Sequence, residues 1–198
     1  MSNAPFAEII QSSLQGFLGQ SWEWDAFPRF GSLVVIESKA RTLFGVVHNI
    51  QTGSMDPVRY PFPYKKTHEE LKAEQPQIFQ FLKTTFNCIL VGYQERSTMY
   101  YVIPPEPPAI HSFIKPIEKD IAKEFLYSDR YFSLLFAQSA ALSLGIDELL
   151  VAIMRYQQEL GILKREKIIA SMERYSLLTG NDYRRMRLLL QRLQGLVD

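Results

Sequence analysis

The sequence predicts an α+β fold: a small antiparallel β-barrel followed by a C-terminal helical domain. Three observations carry this. Two pairs of β-rich runs, 31–36 with 42–50 and 87–93 with 98–103, are each joined by a short polar turn. A glycine inside the second run, Gly45, marks the kind of bulge or bend that curls a sheet. Beyond Pro116 the apolar spacing turns helical and stays so to the end. The expected organisation is an N-terminal amphipathic helix over residues 1–20, a barrel with a helical insertion over 21–115, and an all-helical domain over 116–198.

Taken in order, Phe6, Ile9, Ile10, Leu14, Phe17 and Leu18 recur at helical spacing with Glu8, Gln11, Ser12 and Gln15 opposite, which predicts one amphipathic helix from Pro5 to Leu18. It would pack on its own protein or on a partner. With no Lys or Arg on its polar face, a lipid surface is not the expected contact. In Ser21 to Pro28, an extended chain would put Trp22 and Trp24 on one face, where they could stack on a base or sugar or serve as core or interface aromatics. Gly31 to Ile36 and Thr42 to Ile50 then form a hairpin across Glu37–Arg41, and residues 51–66 are a proline-rich loop.

Thr67 is an N-cap candidate for a helix to about Ala73, and Pro76 suits the first turn of a second one carrying Ile78, Phe79, Phe81 and Leu82. Asn87–Tyr93 and Thr98–Ile103 make the second hairpin, with residues 94–97 as its loop. Pro104–Pro108 leaves the sheet as a stiff linker, and the domain boundary falls between 104 and 117. Helices are expected over 118–126, over 129–144 capped by Ser128 and stopped by Gly145, over 148–160 capped by Asp147 and stopped by Gly161, over 164–178, and from Asp182 through Leu193.

The segment Gly31 to Lys115 resembles the HAS barrel, the small β-barrel shared by HerA-type hexameric ATPases and the N-termini of the catalytic subunits of F-type ATP synthases. The resemblance lies in the order of Gly31–Ile36, Leu43–Val47, the helical Glu74–Ile78, the strand Ile89–Gly92 and the run Pro104–Pro108. It implies a barrel that assembles rings and docks accessory subunits without catalysing. In HerA-type ATPases a motor with a P-loop follows the barrel. Here no G-x-x-x-x-G-K-[ST] occurs, so ATP hydrolysis is not expected.

Composition narrows the function further. The chain has 198 residues, 46% hydrophobic and 22% charged, with thirteen Phe and ten Tyr, which suits a globular protein with a real core. The net charge of +1 hides an asymmetry: residues 151–198 carry nine Lys or Arg against five Asp or Glu, and the rest carry thirteen against sixteen. A single cysteine, Cys88, excludes an internal disulfide and suits a reducing compartment, and no stretch approaches the ~20 apolar residues that span a bilayer. A cytoplasmic protein is expected. His48, His68 and His111 show no metal-ligand spacing, and Cys88 in an apolar strand is expected to be inert. Neither a catalytic constellation nor a cofactor or metal site is expected.

On the last helix Met186, Leu189, Leu190, Leu193 and Val197 form the expected buried stripe, with Arg184, Arg187 and Gln191 on an outer face and Arg185 and Arg192 flanking it. Lys164, Arg165 and Lys167 add charge on the helix before. Such an array is a solvated face, a contact for an acidic protein, or a phosphate-backbone contact. The expected function is therefore a non-catalytic interaction module, adaptor, regulator or assembly factor that docks through its barrel on a larger complex such as a multisubunit ATPase. The candidate contact residues are Trp22, Trp24, Arg184, Arg185, Arg187 and Arg192. A nucleic-acid-binding accessory protein using the basic C-terminal helices is the alternative.

Overall fold

The computed structural model describes residues 4–56, 58, 60–142 and 144–196. Its sheet closes on itself. The strands β1 (Ala7–Ser12), β2 (Gly16–Ser21), β3 (Leu33–Ser38), β4 (Arg41–Ser54), β5 (Leu82–Glu95), β6 (Thr98–Tyr100) and β7 (Phe113–Pro116) run in the order β2-β1-β7-β3-β4-β5-β6, and β2 also pairs with β5. Six strands thus form a closed antiparallel barrel, and β6 is a short spur on β5. Closure removes the exposed sheet edges that would otherwise pair with other chains.

The N-terminal segment is a hairpin, which corrects the expected helix over residues 1–20. Ala7 and Ile9 point into the barrel by strand alternation, as do Phe17 and Gly19 on β2. Ile10 is the extra residue of a β-bulge between Ile9 and Gln11 and lies outside the alternation, and this is what imitates a helical repeat. Ser13 makes the turn: its backbone N–H and hydroxyl both donate to Gly16 O, and its Oγ accepts from the Gln15 and Gly16 N–H groups.

The β3–β4 hairpin forms as expected, with Lys39 at φ 54 in its tight turn. The ladder between β4 and β5 slips at Phe44/Gly45, where the extra residue is Val91 of β5 and not one on the strand of Gly45 as expected, and again at Val47/Asn49, where His48 of β4 is the extra residue. Between these strands, α1 (His68–Glu74) carries a full capping box: Thr67 Oγ1 accepts from Glu70 N–H and the Glu70 carboxylate accepts from Thr67 N–H. A 3-10 turn, Pro76–Phe81, follows it. The second hairpin loop is two residues, Arg96–Ser97, shorter than expected because β5 runs to Glu95. The proline run lies inside the barrel's own chain path: β7 follows it and pairs with both β1 and β3. The barrel therefore spans 7–116.

The helices α2 (Lys119–Tyr127), α3 (Phe132–Ala137), α4 (Ile146–Glu159), α5 (Arg165–Leu178) and α6 (Tyr183–Leu193) cover one side of it. The single helix expected over 129–144 is instead α3 plus a 3-10 turn at Ser139–Ala141. Gly145, at φ 77, opens α4 and does not close the helix before it. Asp182 caps α6, accepting from Arg185 N–H. Val197 lies outside the described residues.

Two cores explain the apolar runs. Inside the barrel lie Ile9, Phe17, Ile36, Leu43, Val47, Phe86, Cys88, Leu90 and Ile114. On its covered wall Phe44, Val46, Ile89 and Val91 pack with Phe125, Tyr131, Phe132 and the apolar faces of α3 to α6. Consecutive residues of β4 and β5 are thus buried on opposite faces, and their sequences read as unbroken apolar runs for that reason. The seam is aromatic: the Phe125 ring lies 4.5 Å from Phe44, 4.8 Å from Tyr101 and 6.0 Å from Tyr131 between centroids. Gly31, at φ +79, lets the loop before β3 press on α4, since an added Cβ would stand 2.5 Å from Ala152 Cβ.

Candidate interaction surfaces

The two tryptophans are parted by a turn. Ala26 N–H donates to Glu23 O at 3.2 Å, so the chain bends where an extended segment was expected and the two rings leave in different directions. Trp22 is half exposed on the outer barrel wall. Its ring meets Phe113 edge-on at 5.5 Å, and its Nε1–H donates to Glu8 Oε1 at 3.2 Å. Glu8 stands opposite Phe113 in the β1–β7 ladder, and its other carboxylate oxygen lies 3.2 Å from His111 Nδ1. Phe113 is also half exposed, and Ile10 and Ile110 on the adjoining stretches of chain are 42% and 48% exposed. The wall formed by β1, β7 and the end of β2 therefore carries a cluster of large apolar side chains around one hydrogen-bonded carboxylate.

Trp24 is half-buried and belongs to neither core. It stacks on Phe79 at 5.5 Å and lies 5.8 Å from His68, with His68 and Phe79 themselves 5.0 Å apart, so three rings pin the helical insertion to the chain leaving β2. Its carbonyl accepts from the buried Thr84 hydroxyl, which in turn bonds Thr52 Oγ1.

The C-terminal arginines divide in two. Arg185 donates from Nε and Nη2 to both carboxylate oxygens of Asp147 at 2.8 and 2.9 Å, while Tyr175 Oη–H donates to the same Asp147 Oδ1 at 3.0 Å. Burial, with the Asp147 charge behind it, holds the Tyr175 hydroxyl far above the usual tyrosine range. Arg192 pairs with Glu148 at 2.6 Å. These two arginines therefore tie α6 to the first turn of α4, and Arg184 and Arg187 are the ones left on the exposed side. Lys167 is not part of the surface charge at all: its side chain is 6% exposed and its Nζ–H donates to Asp129 Oδ1 at 2.6 Å and to Tyr127 O at 2.7 Å.

A second apolar feature was not singled out in the sequence. In the loop after β4, Tyr60 and Phe62 are 90% and 72% exposed, with Phe62 edge-on to Tyr64 at 5.8 Å. The alternation of aromatics with Pro61 and Pro63 is the local signal for it, since prolines keep the chain extended and off the body of the barrel.

Of the groups weighed for chemistry, Cys88 is buried between β2 and β4, and burial pushes its thiol well above the ordinary range. Among the described residues no three His, Cys, Asp or Glu gather as a metal would need, and no helix is long and apolar enough to cross a membrane. The structure thus defines a closed six-stranded antiparallel barrel with a helical domain packed on one wall. No model of a known protein family matches the chain, and a search of curated proteins found no match.

Proposed function

We propose that this chain is a non-catalytic docking protein of the cytoplasm: a HAS-type barrel that attaches as adaptor, regulator or assembly factor to a larger protein assembly such as a multisubunit ATPase ring. The observation that carries it is the uncovered barrel wall around Trp22 and Phe113. The helices bury the opposite wall with β4 and β5, while here large apolar side chains stay in water. Monomeric proteins rarely expose contiguous apolar patches larger than a few hundred Å², and large aromatics are enriched among the residues that dominate protein interfaces. A helical insertion between β4 and β5 agrees with the HAS resemblance, while the proline run, expected to end the barrel, here precedes one more barrel strand, β7.

Nucleic-acid binding by the C-terminal helices is weakened as an alternative, because Arg185, Arg192 and Lys167 are held by Asp147, Glu148 and Asp129. Fewer free cations mean fewer phosphates neutralised and a shallower salt dependence. Affinity capture from native lysate, with and without nuclease and at low and high salt, separates the two. Docking predicts a stoichiometric protein partner that survives nuclease. Retained nucleic acid, or partners lost with nuclease, would overturn it.

A further inference from the structure

Between α6 and the start of α4 the helical domain carries an open groove of about 560 Å³. Leu144, Ile146, Leu188 and Leu189 give it its apolar surface, and two ion pairs lie along it, Arg185 with Asp147 and Arg192 with Glu148. Ile146 and Leu189 are buried, but Leu144 and Leu188 are 57% and 55% exposed, so about half of each stays in water. The space over Gly145 is open as well, since a Cβ added there would meet no heavy atom within 4 Å.

The charge around this groove is one-sided. Within it the carboxylates of Asp147 and Glu148 are each matched by an arginine, so the two pairs cancel. On the outer side of α6 stand Arg184 and Arg187, both exposed and held by no acid among the described residues. Helical spacing puts Arg184 one turn before Leu188 on the same face, with Arg187 next to Arg184. Tyr183–Leu193 holds four arginines and no Asp or Glu. An apolar side chain lowered onto Leu188 and Leu144 therefore arrives beside two guanidinium groups that lack a counter-charge.

The occupant that suits both features is acidic and apolar together. A phosphate backbone would neutralise the arginines but has nothing apolar to cover the leucines. A bilayer takes up apolar side chains that stand out from a surface, not those set in a hollow between helices. A second copy would bring its own positive α6 against this one. We propose that the groove binds an acidic segment of a partner protein, which seats large apolar side chains on Leu144 and Leu188 and carboxylates on Arg184 and Arg187. None of these residues belongs to the Trp22 wall, so this proposal and the docking proposal fail separately.

The test is selection from a random dodecapeptide library displayed on phage against the immobilised full chain. Enriched peptides are then synthesised and titrated against the wild type, Leu188→Gln and the pair Arg184→Gln/Arg187→Gln. Peptides that combine large apolar residues with a net negative charge should emerge. Leu188→Gln should weaken them at least about tenfold, the effect of losing one buried leucine contact. The arginine pair should weaken them about three- to tenfold at low salt and less at high salt, where exposed charges are screened. The proposal is overturned if no peptide is enriched, if the enriched peptides ignore Leu188→Gln, or if those that need Leu188 are neutral or basic. Self-association of the chain, or binding of poly(U) or of phosphatidylserine vesicles, that is lost in Leu188→Gln would also overturn it by naming another occupant. If Leu188→Gln fails to fold, the arginine pair, at two exposed positions, decides: unchanged affinity there overturns the proposal.

Discussion

Asp129→Ala should be the most damaging single truncation of a charged side chain among the ion pairs described here. The carboxylate of Asp129, 12% exposed, accepts from Lys167 Nζ at 2.6 Å and from Ser171 Oγ at 3.0 Å, linking α5 to the segment between α2 and α3. Its removal leaves the Lys167 ammonium, 6% exposed, with only Tyr127 O at 2.7 Å. Breaking one side of a buried pair costs about 3–5 kcal/mol, because the surviving charge stays out of water. That is a large part of the 5–15 kcal/mol that holds a typical domain, and at about 2–4 °C per kcal/mol for a chain of this size the midpoint should fall by ~6–20 °C. The double variant Asp129→Ala/Lys167→Met should recover most of the loss, since an apolar replacement removes the stranded charge. Urea unfolding of the three proteins supplies the numbers. A loss below about 1 kcal/mol for Asp129→Ala, the size found for exposed pairs, would refute the account of this pair.

Three further outcomes follow from the same packing. Burial holds the Lys167 pKa below the usual 10.5 despite the hydrogen bond and charge of Asp129, so the unfolded chain binds the extra proton between the two values. The wild type should therefore gain stability relative to Lys167→Met as pH rises through that window, and a flat difference would contradict it. Gly31→Ala forces an L side chain to φ +79 and sets a Cβ 2.5 Å from Ala152 Cβ, which should cost about 2–4 kcal/mol in chemical denaturation. The Cys88 thiol, buried and pushed up in pKa, should react with a disulfide reagent only as fast as the barrel unfolds, as a comparison of modification and unfolding rates would show.

What was legible in the sequence was set by local signals. The Thr67 cap, the β3–β4 hairpin and the β-rich character of Cys88–Val91 each have their cause within a few residues. The N-terminal hairpin was misread because the bulge at Ile10 breaks strand alternation, and adjacent Ile9 and Ile10 then look like one helical stripe. Strand β7 was missed because Phe113–Pro116 is short, and only its pairing with β1 and β3, about eighty to a hundred positions away in the chain, makes it a strand. The same holds for the surfaces. Trp22 gains its place from Phe113 and Glu8, and Arg185 loses its freedom to Asp147, contacts that no local pattern announces.

The most direct measurement is the affinity of the captured partner for three proteins: the wild type, the pair Trp22→Ala/Phe113→Ala, and the pair Arg184→Gln/Arg187→Gln, each first shown to be folded by circular dichroism. Docking through the barrel wall predicts that the aromatic pair weakens binding by about a hundredfold, as the loss of ~3 kcal/mol from two central aromatics would, while the arginine pair stays within about threefold of wild type. Unchanged binding by the aromatic pair, with loss in the arginine pair, would move the functional surface from the barrel to the C-terminal helix.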